Sequence, residues 1–210
     1  MPRSARKPSA TGYYHIITRG NNRQTVFHQD ADYQFYLELL GRYRRQFSWK
    51  LHHFCLMPNH AHLLIYIEDF KILGKLMQGI NQTYEKYFRL RYQHSGHLWQ
   101  GRYKSIPIHD ESYLLECSRY IERNAVRAEL VKNVGEYPWS SYSIYSEGKL
   151  DSLVELDPVY LGLGTTSQER SKAYRDYLEI TRPYEQFLDK SLKIRDVPKG
   201  DTLFFPMNLF

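Results

Sequence analysis

The chain has 210 residues, 42% hydrophobic and 25% charged, a composition that suits a globular domain with an extension and excludes a disordered or fibrous chain. Its longest apolar runs, such as Leu63 to Ile67, are far too short to cross a bilayer, and the two cysteines, Cys55 and Cys117, form neither a disulfide framework nor a CxxC pair. The net charge of +6 is uneven: residues 1–110 hold 16 Lys/Arg against 7 Asp/Glu, and residues 111–210 hold 13 against 16. No apolar segment follows the basic start, so the expectation is a reduced, cytoplasmic protein without a secretory leader.

Tyr13 to Thr18 is aromatic and β-branched and predicts a first strand, closed by the polar loop Arg19-Gly20-Asn21-Asn22-Arg23. Asp30 is placed to cap a helix to about Phe47, with Tyr36, Leu40, Tyr43 and Phe47 at helical spacing. Trp49 to Met57 and His60 to Ile67 predict two strands joined by the turn Pro58-Asn59. Phe70 to Tyr92 predicts a long amphipathic helix that turns Leu73, Leu76, Met77, Ile80, Tyr84, Tyr87 and Phe88 inward. Leu98 to Ile108 predicts a fourth strand and Glu111 to Arg123 another helix. Strand–helix–strand–strand–helix–strand is the split βαβ order, so the expected fold is α+β: a ferredoxin-like antiparallel sheet with helices on one face. The pattern weakens near Ser146. We therefore expect a domain over 1–145 and a C-terminal helical extension over 146–210, net charge −2, with a helix over Ser167 to Ile180 and an apolar end containing Phe204, Phe205 and Phe210.

His60-Ala61-His62 opens the third strand, and side chains two apart on a strand share a face, so the pair can hold one metal ion. Two histidines on a strand are more often structural than ligating. Tyr120 and Asn124, four apart on a helix, stack on one face, where a carboxamide oxygen can complete a site for a hard cation beside a phenol. His52, His53 and Cys55 offer a different reading, a zinc site completed by His60 or His62. His15, on the first strand, can lie beside the active site.

These residues carry a resemblance. Leu56-Met57-Pro58-Asn59-His60-Ala61-His62-Leu63-Leu64-Ile65 and Arg119-Tyr120-Ile121-Glu122-Arg123-Asn124-Ala125-Val126-Arg127-Ala128 resemble the REP-associated tyrosine transposases, single-tyrosine HUH endonucleases related to transposases of small insertion sequences. The likeness runs from about Gly12 to Tyr145 and includes Thr18 to Arg23, Leu98 to Tyr103 and Trp139 to Tyr142. Two positions depart from the family pattern: Ala61 replaces a bulky apolar residue, and Ala125 replaces the usual proline. Neither is a chemical ligand.

The resemblance implies that His60, His62 and Asn124 bind Mg²⁺ or Mn²⁺ and that Tyr120 attacks a phosphodiester to give a 5′-phosphotyrosine link and a free 3′-hydroxyl. It implies single-stranded or hairpin DNA at palindromic repeats as substrate, and action as a monomer or as a homodimer that exchanges helices. Tyr113 is the rival nucleophile, but its neighbour four residues on is Cys117, a soft thiol, whereas Tyr120 has Asn124. Two segments suit DNA. Arg19, Asn21, Asn22 and Arg23 offer paired donors, and Trp99, Arg102, Tyr103 and Lys104 combine rings with cations. The remaining alternatives are a non-catalytic nucleic-acid-binding module of the same fold and a zinc-dependent hydrolase.

Overall fold

Four strands, Tyr13–Arg19 (β1), Lys50–Met57 (β2), His60–Tyr66 (β3) and Lys104–Ile108 (β4), pair antiparallel in the order β2-β3-β1-β4. The computed structural model describes residues 8–180, so the predicted burial of Phe204, Phe205 and Phe210 lies outside the described residues. Helices Asp30–Gln46 (α1) and Phe70–Tyr92 (α2) follow β1 and β3, as the split βαβ order requires. They pack on the sheet face formed by Tyr14, Ile16, Phe54, Leu56, Ala61, Leu63 and Ile65, and that layer is the main core. The other face carries His15, Ile17, His60, His62 and Leu64, because strand side chains alternate. It is covered by Ser112–Glu122 (α3) and Asn124–Arg127 (α4). The repeat's two helices share one face, as the α+β reading expects, and α3 crosses the opposite one.

Local chemistry explains where several elements begin. Asp69 caps α2 by accepting from the Lys71 amide at 2.9 Å. The start of α1 is held by Asp32 rather than by Asp30: the buried Asp32 carboxylate accepts from the His28 and Gln29 amides at 2.8 and 3.1 Å. It also accepts from the Tyr87 and Tyr92 hydroxyls of α2, locking the two helices together. The fourth strand is shorter than predicted, starting at Lys104 instead of Leu98. Residues 98–100 bond the loop after β1 instead, and Gly101, at φ 72°, turns the chain before β4.

That loop is tight. Gly20 donates to the Asn59 carbonyl at 2.8 Å, and a Cβ added there would lie 2.3 Å from the Gln24 carbonyl oxygen and 2.8 Å from Val26 Cγ1. Gly20→Ala must push backbone apart, and we expect a loss of about 1–3 kcal/mol in denaturant titration.

Described residues after Tyr142–Glu147 (α5), as far as Glu179, pack with the sheet and its helices. Val154 bridges Leu51 of β2, the Tyr145 hydroxyl donates to the His52 carbonyl at 2.8 Å, and the Tyr160 hydroxyl of Pro158–Leu161 (α6) donates to the Tyr145 carbonyl at 2.8 Å. Arg123, at the end of α3, donates to the Leu178 carbonyl of Ser167–Glu179 (α7) at 2.7 Å. Truncation after Tyr145 should therefore give insoluble protein, as read by soluble yield, because it strips buried partners from β2 and α3.

Candidate active site

The register of β1 against β3 sets Arg19 opposite His60 and Ile17 opposite His62. His15 and His62 are thus diagonal neighbours on the α3-covered face, within reach for long side chains. Nε2 of His15 lies 2.8 Å from Nδ1 of His62, and both rings are buried. The His60 and His62 rings stand 4.8 Å apart at 78°. Asn59 donates its side-chain nitrogen to the Arg23 carbonyl at 3.4 Å, which turns its oxygen to His60 Nδ1 at 2.5 Å. His60 therefore holds its proton on Nδ1 and offers a lone pair on Nε2. His62 Nε2 is buried with no hydrogen-bond partner.

Tyr120 enters from α3. Its ring is 1% exposed and packs edge-on against both His15 and His62, at 5.7 Å from each. The Arg127 guanidinium lies over the same ring, 4.9 Å from its centroid, and hydrogen-bonds the phenol oxygen. The helix expected to carry both Tyr120 and Asn124 ends at Glu122, and Asn124 opens a short helix of its own after the bend at Arg123. The two residues still meet: the Asn124 amide nitrogen donates to the Tyr120 carbonyl at 2.8 Å. That bond fixes the amide's orientation and leaves its oxygen free to accept a hydrogen bond or to ligate a cation.

Burial dominates the electrostatics. It pushes His15 down to about 3 and, with the Arg19 and His15 charges, His60 to about 3; burial and the neighbouring His60 hold His62 well below its usual range. All three imidazoles are neutral at pH 7, the form that ligates metals. Burial raises the Tyr120 pKa, while Arg127 and then Arg19 pull it back.

The family model of IS200-like transposases matches residues 9–124, more than half of the chain and the whole of the sheet and the Tyr120 helix. The chain belongs to the IS200-like transposases. These are enzymes of the single-tyrosine HUH type. Among solved structures, a REP-associated tyrosine transposase bound to a REP hairpin is 18% identical, with a TM-score of 0.57 over 76% of this chain and 93% of that one. At that identity the likeness is one of fold. A candidate transposase from Deinococcus radiodurans is also 18% identical, with a TM-score of 0.41 over 58% of this chain and 97% of that one. No curated protein matches the sequence.

A divalent cation is expected of this transposase. Among the described residues no three His, Cys, Asp or Glu side chains form a metal-holding group, so any site must draw on other donors. Two imidazoles and a carboxamide fit: the unpartnered His62 Nε2, the lone pair of His60 Nε2 and the oxygen of Asn124 are neutral donors of the required kind. The competing zinc reading does not fit. Both nitrogens of His53 are taken, by Glu122 at 3.1 Å and Asp157 at 3.0 Å, and His52 Nδ1 lies 2.6 Å from the Glu155 carbonyl oxygen.

The two segments expected to hold DNA are fused into one ridge beside His60. Asn21 donates to the Leu98 carbonyl at 2.7 Å, and Gln100 to the Arg19 carbonyl at 2.8 Å. Asn21, Asn22, Arg23, Arg102 and Lys104 are exposed, and Arg19 is partly so. Trp99 and Tyr103 require correction as stacking platforms. Both are buried in the core, and Trp99 packs 5.7 Å from Tyr84 of α2 and donates Nε1 to the Asn81 carbonyl at 3.0 Å, so neither ring is an open face for bases.

Two features escape sequence reasoning. Arg127 lies seven residues after Tyr120, a two-turn spacing that would have flagged it. The second is a buried relay: His53 joins Glu122 of the Tyr120 helix to Asp157, with Ser141 donating to Glu122 at 2.6 Å. Nothing local announces it, because its members lie 69 and 104 residues apart. Burial pulls the His53 pKa down, but its hydrogen bonds to Asp157 and Glu122 more than reverse this and leave it raised. Burial pushes Asp157 up, and the His53 hydrogen bond outweighs that and leaves it lowered. The His53 contribution is thus complete below its usual 6.5 and fades as pH rises through the raised value. The Asp157 contribution is complete above its usual 3.8 and fades as pH falls through the lowered value. Thermal melts should show the wild type losing stability from pH 6.5 upward, with His53→Gln flattening that slope.

Proposed function

We propose that this transposase is of the REP-associated type, cutting and rejoining single-stranded or hairpin DNA through a phosphotyrosine bond on Tyr120. In this reading His60, His62 and Asn124 hold Mg²⁺ or Mn²⁺. The observation that supports it most is the Tyr120 ring lying 5.7 Å from His62, whose buried Nε2 has no partner. The hairpin substrate is suggested by the solved relative, which was bound to one.

When bound, the cation polarises the scissile phosphate and offsets charge growing on its oxygens. The protein's own groups do the rest. Tyr120 forms the new oxygen–phosphorus bond while the bond from phosphorus to the 3′ oxygen breaks. The phenol proton is released and the 3′ oxygen takes one up, so a 5′-phosphotyrosine and a 3′-hydroxyl result. One phosphodiester replaces another, and the step reverses without ATP. A buried phenol resists ionisation, and the Arg127 guanidinium opposes that by donating to its oxygen and favouring the anion. Arg127→Ala should slow adduct formation on the order of 10²-fold at saturating DNA, the usual cost of one lost donor to a developing anion.

The exposed ridge of Arg19, Asn21, Asn22, Arg23, Arg102 and Lys104 is the DNA contact in this reading. Arg19→Ala with Arg23→Ala should weaken hairpin binding and reduce the slope of log affinity on log salt by about 2; an unchanged slope contradicts the placement. The whole reading is tested on a denaturing gel with labelled hairpin DNA and Mn²⁺. A covalent protein–DNA band supports it. Binding without a band favours a non-catalytic module, and zinc-dependent products without a band favour a hydrolase.

A further inference from the structure

His15 is a buried imidazole that the chemistry above does not use. Its Nε2 lies 2.8 Å from His62 Nδ1, and it is 2% exposed, so no water competes for the bond. One of those two nitrogens must donate and the other accept. If His15 donates, neutral His62 carries its proton on Nε2, and a buried N–H is left with nothing to receive it. If His62 donates, its Nε2 is a lone pair on a ring flanked by Tyr120 and His60. Both tautomers leave Nε2 unpartnered in the metal-free protein, but only the second is relieved by a cation. The register fixes this geometry: His15 and His62 project from neighbouring strands on one face, and Tyr120 packs edge-on against both rings.

We propose that His15 is a positioning residue for the cation site: its Nε2 accepts the Nδ1 proton of His62, which fixes His62 in the tautomer and orientation that present Nε2 as a ligand. Ligating histidines commonly use a carboxylate or backbone carbonyl for this purpose, and here a third imidazole takes that place. This rests on the reading of His60, His62 and Asn124 as ligands.

The test is a direct Mn²⁺ titration by electron paramagnetic resonance, without DNA and without turnover. His15→Phe, which keeps the ring and removes the acceptor, should weaken Mn²⁺ binding about 10–100-fold. His15→Gln, which restores an oxygen acceptor near the former Nε2 position, should recover most of that affinity. Long-range proton–nitrogen spectra of the Mg²⁺-loaded protein should show His62 protonated on Nδ1 in the wild type and in His15→Gln. His62→Ala serves as the control. If it lowers affinity while His15→Phe matches the wild type, the positioning role is wrong and the ligand reading stands. If His62→Ala itself binds Mn²⁺ like the wild type, the ligand reading fails first. A His62 proton found on Nε2 with Mg²⁺ bound overturns the proposal outright, as does equal loss in His15→Phe and His15→Gln.

Discussion

Tyr120→Phe abolishes the covalent protein–DNA adduct, and Tyr113→Phe leaves it. The expected loss is on the order of 10⁴-fold or more, because a nucleophile has no substitute within its own site. The substitution removes one oxygen and keeps the ring, so the edge-on packing against His15 and His62 survives and the fold is preserved. Tyr113 sits in the first turn of α3, partly exposed, two turns before the ring that meets the histidines. Adduct from Tyr120→Phe with none from Tyr113→Phe would reverse the assignment.

The second large effect is loss of the cation. Chelation, or His62→Ala, should remove cleavage while leaving hairpin binding within severalfold, since Asn21, Asn22, Arg23, Arg102 and Lys104 are exposed whereas the His62 imidazole is buried. Imidazole is an unusual ligand for Mg²⁺ and an ordinary one for Mn²⁺, so activity in Mn²⁺ should equal or exceed that in Mg²⁺. Activity supported by Zn²⁺ alone would contradict the three-donor set. His62→Ala also leaves His15 Nε2 without its neighbour. A parallel melt with His60→Ala, whose ring is partly exposed, separates metal loss from packing loss.

The sheet and its helices were legible because alternation and helical spacing are local signals. β1, β2, β3, α1 and α2 begin and end within a residue or two of their predicted limits. What sequence alone missed depends on distant partners. The rings of Trp99 and Tyr103 beside Arg102 and Lys104 read as a stacking surface, yet both are buried, and the Asn81 carbonyl on α2 that accepts from Trp99 lies 18 residues away. The break at Arg123 is equally hidden: no proline or glycine marks it, and Asn124 bonds back to Tyr120 across it. His60 and His62 announce themselves as a pair. The His15 contact appears only once the β1–β3 register is known, since a one-residue slip would send His15 to the other face.

Whether two imidazoles and one carboxamide share a cation beside Tyr120 is decided by pulsed electron paramagnetic resonance of bound Mn²⁺. Modulation from two histidine nitrogens is expected, reduced to one in His60→Ala and in His62→Ala. A Mn²⁺ signal without imidazole nitrogen, unchanged by either substitution while hairpin DNA is bound, would contradict it.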